Sequence, residues 1–158
     1  MAMQHTPLLM SKIIDRGAKV APNEEIVTAT ENGVRRQTYK ETRDRAHQLA
    51  QALADAGIAV GDRVGTFMWN GSRHLEAYQA CAGMGAVLHT LNIRLSEKDL
   101  EYIINHAEDQ IIIVDADILP LLEKLEGKMP TVGQVVIATE EGFEGWSTQL
   151  PNAIDYED

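Results

Sequence analysis

A chain of 158 residues, 44% hydrophobic and 24% charged, carries enough apolar material for one core-bearing domain, and its composition is neither that of a disordered tract nor of a fibre. The formal net charge of -10 excludes a nucleic-acid backbone as partner, because no surplus of Lys and Arg is available to displace its counterions. The lone Cys81 excludes an intramolecular disulfide, and no run approaches the roughly 20 apolar residues that span a bilayer, so the expectation is a cytoplasmic chain without a transmembrane segment.

The N-terminal stretch is interrupted by Gln4, Lys12, Asp15 and Arg16 and lacks the continuous apolar region of a signal peptide. Thr6-Pro7 reads as the cap and first turn of a short helix through Leu9, Met10, Ile13 and Ile14, with Gly17 placed to end it. Glu25 to Thr30 and Val34 to Thr38 flank Glu31-Asn32-Gly33, the turn chemistry of a two-stranded antiparallel hairpin. Thr38 and Glu41 then fit a capping box for a helix with Tyr39, Thr42, Ala46, Leu49, Leu53 and Ala56 on one face, stopped at Gly57.

From Gly61 to Leu95 the chain reads as strand, helix, strand and polar exit loop. Gly61-Asp62 is a turn into the strand Arg63 to Met68, and Asn70-Gly71-Ser72 offers turn and N-cap chemistry. In the helix that follows, Leu75, Tyr78 and Ala82 are expected inward, with Arg73, Glu76 and Gln79 on the polar side. Gly83 and Gly85 end it, and Ala86 to Leu91 is the next strand, parallel to the first through a right-handed crossover. Ser96 and Asp99 resemble a capping box for a helix buried through Leu100, Ile103, Ile104 and Ala107 and closed by Glu108-Asp109. The run Ile111 to Val114 suits a strand covered on both faces. Asp115 or Asp117 is expected to cap a helix with Ile118, Leu121, Leu122 and Leu125, ended by Gly127, before a last strand from Gln134 to Ala138. Beyond Thr139 lie six acidic residues and no Lys or Arg, with Phe143, Trp146 and Leu150 too scattered to define an element, so this stretch reads as loop. The fold class is α/β: an open, mostly parallel sheet with helices on both faces, plus an N-terminal antiparallel hairpin.

Candidate chemistry is sparse. Gly83-Met84-Gly85 lies where a helix leads into a strand, the reverse of the order that aims free amides at a phosphate, and reads as a tight turn. His74, His89, His106 and Cys81 have no spacing that fixes a metal-ligand set or a thiol nucleophile. Asp115 ends a strand as a phosphoacceptor would, but the first parallel strand lacks the acidic pair that would hold Mg2+. Asn92 and Arg94 follow a parallel strand on the side where open sheets bind ligands, and polar loop residues there also serve to tie down the turn. Lys124 and Lys128 sit at a helix end, where lysines offset the macrodipole.

The words TYKET at 38–42, GDRV at 61–64, HLEAYQACAGMGAVLHTLNIRL at 74–95 and LEYIINHAED at 100–109, in this order and spacing, resemble the N-terminal part of AMP-forming acyl-CoA ligases of the adenylate-forming superfamily. The phrasing from Gly83 to Leu95 is most similar to bacterial medium- and long-chain fatty-acyl-CoA ligases, and the resemblance runs over about residues 25–138. It implies a parent enzyme that joins a fatty acid to ATP, with Mg2+, and passes the acyl group from its adenylate to CoA.

It also implies that residues 1–139 are an N-terminal α/β subdomain, with 1–24 an arm that in such ligases commonly takes part in a dimer contact, and that 140–158 is an acidic loop leading to a remainder. The Ser/Thr/Gly-rich phosphate loop, adenine segment, Mg2+-binding Glu and catalytic Lys of such ligases have no counterpart here. The nearest Ser/Thr pair, Ser147-Thr148, lacks both the glycines and the lysine. The expectation is therefore no catalytic, cofactor-binding or metal residue in this chain, no tightly bound ATP or CoA, and self-association through apolar surface left uncovered. The competing reading is a stand-alone flavodoxin-like binding or interaction module without catalysis, which a reading frame ending naturally at Asp158 would favour.

Overall fold

In β5, Ile111–Asp115, Ile111 and Ile113 face one hydrophobic cluster while Ile112 and Val114 face another, so one strand supplies both cores through the two-residue period of its side chains. The computed structural model describes residue 7 and residues 9–30, 33–139 and 145–158. Around β5 the sheet runs β4 (Val87–Thr90), β3 (Arg63–Phe67), β5, β6 (Gln134–Ala138) and β7 (Ile154–Asp155), every pair parallel. This is the flavodoxin-like strand order, in which the first sheet strand has its successor on one side and the third on the other. A separate ribbon pairs β1 (Glu25–Thr30) antiparallel with β2 (Gly33–Thr38). The expected hairpin is present, although Glu31 and Asn32 of its turn lie outside the described residues, as do Thr6 and Phe143.

Helices α4 (Glu97–Ala107) and α5 (Leu119–Glu123) cover one face, where Leu100, Ile104, Leu119, Leu122 and Leu125 pack with Phe67, Ile112, Val135 and Ile137. Helices α2 (Tyr39–Asp55) and α3 (Ser72–Met84) cover the other through Leu53, Ala77 and Cys81 against Val64, Ile113 and Val136. Burying such side chains contributes about 1.5–3 kcal/mol each, which explains why the isoleucine run fixes the centre of the sheet. The Thr38–Glu41 capping box is fully formed, and Ser96 caps α4 by accepting the N–H of Asp99 at 3.2 Å.

The remaining expectations meet corrections with identifiable causes. Helix α1 spans Ser11–Val20 and runs through Gly17 instead of ending there. A Cβ on Gly17 would stand 3.3 Å from the Tyr39 ring, so this glycine permits close packing on α2. In α3 the inward face is Ser72, Glu76, Ala77, Ala80 and Cys81, whereas Tyr78 and Ala82 are exposed. The sequence pattern misassigned this face because Glu76 is held inside by hydrogen bonds, described below. The N-cap of α3 is Gly71, within the expected Asn70-Gly71-Ser72 turn, and it makes no side-chain cap bond. The Ser72 N–H donates to Thr28 Oγ1 of β1 at 3.0 Å, so a hydroxyl from the ribbon satisfies the helix terminus.

Neither Asp115 nor Asp117 caps α5, whose N-cap is Ile118 with no side-chain bond. The segment after Thr139, expected to be loop throughout, returns to the sheet as β7, and Leu150 is buried in the core. Two residues of strand carry no readable alternation, so this edge has no signature in the sequence.

Candidate functional site

With β3 between β4 and β5, the chain leaves β3 toward one neighbour and later returns to the other. The carboxyl ends of β3 and β5 therefore form the topological switch point, the crevice where open α/β sheets receive ligands. Trp69, just past β3, spans that crevice. Its backbone N–H donates to Asp115 Oδ2 at 2.6 Å, and its indole Nε1–H donates to Asp117 Oδ2 at 2.8 Å. The ring stays half exposed, pinned at both ends by the β5 exit loop.

Behind it, His74 of α3 is buried. Its Nδ1 lies 3.2 Å from the Trp69 carbonyl and its Nε2 3.0 Å from Thr66 Oγ1. A carbonyl only accepts, so Nδ1 carries the proton, and in the neutral ring Nε2 accepts from the threonine hydroxyl. Burial pushes the His74 pKa below its usual value, against the opposing pull of the Trp69 carbonyl. The neutral imidazole is thus a structural strut between β3 and its exit loop.

A second histidine has an acidic partner that spacing did not disclose. His89 of β4 holds its Nδ1 3.0 and 2.8 Å from the two oxygens of Asp109, which is fully buried after α4. Asp109 lies over Gly65, where an added Cβ would come within 3.1 Å of its Oδ2. Burial raises the Asp109 pKa, and the hydrogen bond from His89 and the charges of His89 and Arg63 pull it back.

The largest polar assembly sits beside the ribbon. Glu76, fully buried in α3, accepts from Gln37 Nε2 at 2.7 Å and Arg45 Nε at 2.8 Å on one oxygen, and from the Tyr156 hydroxyl at 2.8 Å on the other. Arg45 also pairs with Glu157 through two N–H groups at 2.9 and 3.0 Å, and Arg73 reaches the same carboxylate at 2.9 Å. Both guanidiniums lie over the Tyr156 ring, 5.8 and 5.7 Å from its centroid. The adjoining cleft, ≈ 350 Å³, is lined by Arg35, Arg36, Gln37, Arg45, Arg73 and Glu157 among others. Burial and the Glu76 charge push the Tyr156 pKa up. Burial would also raise Glu157, but Arg45 and Arg73 outweigh it and hold that carboxyl low.

The singled-out residues fall mainly into structural roles. Gly85 caps α3 with φ 85°, and its carbonyl accepts the Gly61 N–H at 2.9 Å, the tight turn expected of Gly83-Met84-Gly85. Asn92 Oδ1 accepts the Arg94 N–H at 3.0 Å and ties its own loop. Lys128 pairs with Glu97 at 2.8 Å, and Lys124 is exposed. His106 stacks on Tyr102, away from His74 and His89 in partner and exposure. Cys81 is buried and its thiol is pushed up to about 12 by that burial.

Among the described residues no group of three or more His, Cys, Asp or Glu is placed to hold a metal ion. The carboxylates nearest the switch point, Asp115 and Asp117, are engaged by Trp69 and would repel a phosphate. Sequence reasoning missed Trp69, Glu76, Tyr156 and Glu157. The available signals were a Trp two residues past a strand and two acids and a Tyr on separate elements, none of which specifies a contact.

Strand order, two-sided cover and the carboxyl-end crevice define a doubly wound α/β fold. The chain belongs to the AMP-binding enzyme family, whose pattern matches residues 14–157. It is 43% identical over 145 residues to a long-chain-fatty-acid–CoA ligase of Thermus thermophilus, covering 91% of this chain and 27% of that protein. It is 36% identical over 157 residues to a medium-chain-fatty-acid–CoA ligase of Ectopseudomonas oleovorans, covering 99% of this chain and 29% of that protein. The crystal structure of coronafacic acid ligase from Pectobacterium brasiliense superposes with a TM-score of 0.80 at 19% identity, over 95% of this chain and 29% of that one, a likeness of fold alone. The chain therefore spans little more than a quarter of the length of these relatives.

Proposed function

We propose that the whole protein is an ATP-dependent fatty-acid–CoA ligase and that this chain is the platform supporting its reactive parts. Such an enzyme attacks ATP with a fatty carboxylate to give acyl-adenylate and pyrophosphate, and the CoA thiol then displaces AMP. Mg2+ and cationic donors around the phosphates would stabilise the developing charge. The observation that carries this reading is the 43% identity to a long-chain ligase across 91% of the chain. Fatty acid, ATP, CoA and Mg2+ are its substrates and cofactors on this reading, none held tightly by residues 1–158. Its compartment is the cytoplasm, and no helix among the described residues is long and apolar enough to cross a membrane.

On the same reading, residues 1–139 form the N-terminal subdomain. The stretch 140–158 leads onward from it, its later part serving as edge strand and latch through β7, Tyr156 and Glu157. The free side of β4, with Val87 half exposed, is the surface through which the isolated chain self-associates. A pyrophosphate-release assay with octanoate and palmitate tests both halves of the proposal. Turnover by the whole protein and none by residues 1–158 is expected. Robust turnover by the 158-residue chain would refute the platform reading, and an inert whole protein on both acids would refute the ligase reading.

A further inference from the structure

The stretch 145–158 crosses the edge of the sheet and fastens to both of its faces. Before the crossing, Leu150 is buried in the cluster under α4 and α5, with Trp146 and Ala153 packed against it. After the crossing, Tyr156 packs on the opposite cluster, beneath α2 and α3, and its hydroxyl donates to Glu76 at 2.8 Å. Between these two anchors β7 offers only two residues to β6, pairing Ile154 with Val136 and Asp155 with Ile137. One backbone bond flanks β7 on each side. The Val135 N–H donates to the Pro151 carbonyl at 3.1 Å, and the Tyr156 N–H donates to the Ile137 carbonyl at 2.9 Å. An edge strand this short, with Ile154 exposed, opens at a lower free energy than the centre of the sheet.

The firmest attachment is ionic. Arg45 commits its Nε–H to Glu76, which leaves both terminal nitrogens aimed at Glu157, at 2.9 and 3.0 Å. Arg73 brings its Nε and one terminal nitrogen to the same carboxylate at 3.0 and 2.9 Å. Four charge-assisted bonds thus converge on one side chain of the stretch. Arg45 also links the two neighbours Tyr156 and Glu157, because it holds the Glu76 carboxylate that the Tyr156 hydroxyl serves. Withdrawing Tyr156 alone would take a donor from a buried charge, so the two residues stay or leave together.

We propose that 145–158 is a strap that opens and closes as one unit at the β6 edge while the rest of the domain stays folded, with Glu157, gripped by Arg45 and Arg73, as its catch. Opening frees Leu150 from one face and Tyr156 from the other in a single event. The strap is therefore a two-state element joining the two covering layers. The charges of the catch are partly exposed, so salt weakens it, whereas the buried Leu150 end is indifferent to salt. The inference holds whether or not the whole protein is a ligase.

Native-state amide hydrogen exchange of the 158-residue chain reads the strap at the Val135 and Tyr156 amides, with Ile113 of β5 as the reference for the sheet centre. After correction for intrinsic rates, the two strap amides should share one opening equilibrium, at least about ten-fold more open than Ile113. Glu157→Gln should speed both equally, by about ten-fold, and leave Ile113 unchanged. Raising the salt should speed both amides in the parent chain and do little in E157Q. Leu150→Ala loosens the opposite end and should speed Tyr156 along with Val135, relative to Ile113. Unequal opening of the two amides, or a Leu150→Ala effect confined to Val135, would overturn the single unit. Exchange no faster than at Ile113 would overturn separate opening. Rates unchanged in E157Q, or an undiminished salt response there, would overturn Glu157 as the catch.

Discussion

Glu76 Oε1 accepts the Nε–H of Arg45 at 2.8 Å, although the carboxylate belongs to a fully buried side chain and the guanidinium is part exposed. The pairing works because Gln37 and Tyr156 supply further donors to the same carboxylate, so that both oxygens of the buried charge accept a hydrogen bond. Glu76→Ala leaves Arg45 without its inner partner, strips the Tyr156 hydroxyl of its acceptor and leaves the Gln37 amide only Thr42 Oγ1. Allowing for the solvent that reaches Arg45, the expected loss is about 2–3 kcal/mol, with a smaller loss for Glu76→Gln. Urea denaturation reads this as a lower midpoint. An unchanged midpoint for the alanine variant would show that the network contributes nothing net.

Gly65 lies at the middle of β3 because Asp109 and Ile112 occupy the space a side chain would need. A Cβ there would meet both Asp109 Oδ2 and Ile112 Cγ1 at 3.1 Å. Gly65→Ala is expected to cost about 1–3 kcal/mol, as overpacking of a tight core does, and to disturb the His89–Asp109 contact. In a double-mutant cycle Asp109→Ala should relieve part of that cost but not the Ile112 contact. Strict additivity of the two substitutions in thermal denaturation would contradict this account.

What the sequence disclosed follows from the range of each interaction. The Thr38–Glu41 box, the Ser96 cap and the αL turn at Gly85 act within a few residues, so spacing alone places them. The isoleucine run at 111–113 needs no partner named to be read as a buried strand. By contrast, Glu76 draws on Gln37, Arg45 and Tyr156, which are 39, 31 and 80 positions away, and a lone glutamate on a helix reads as surface until those partners are in place. Asp115 and Asp117 misled for the same reason. Their position invites helix capping, but the donors they serve belong to Trp69, 46 and 48 positions earlier. The site at the switch point is made of such distant pairs, which explains why the fold was more readable than the site.

Cys81 is completely buried on the inner face of α3, and burial drives its thiol up to about 12, well away from the thiolate that reacts. Iodoacetamide at mildly alkaline pH should therefore leave the native chain unmodified, with alkylation appearing in denaturant and following the unfolding curve. Stoichiometric labelling of the native protein, measured by mass spectrometry, would show that α3 opens locally without global unfolding.

The pH dependence of stability can be assigned a sign at His74. Burial lowers its folded-state pKa from 6.5, so on acidification the unfolded chain takes up the proton first. Native stability from this residue is complete above the unfolded value and declines as the pH falls from there toward the lower folded value. His74→Gln, which keeps polar atoms near Thr66 and Trp69 but cannot titrate, should flatten the change in unfolding free energy between about pH 7 and pH 5 relative to the parent chain. Asp109 contributes in the opposite sense. Its raised pKa gives stability that is present below its unfolded value and lost as the pH rises through the folded one, which makes the difference between parent and variant the informative quantity. Parallel slopes for the two proteins across that window would mean that the imidazole takes up its proton at the same pH in both states, so that burial does not disfavour its charged form.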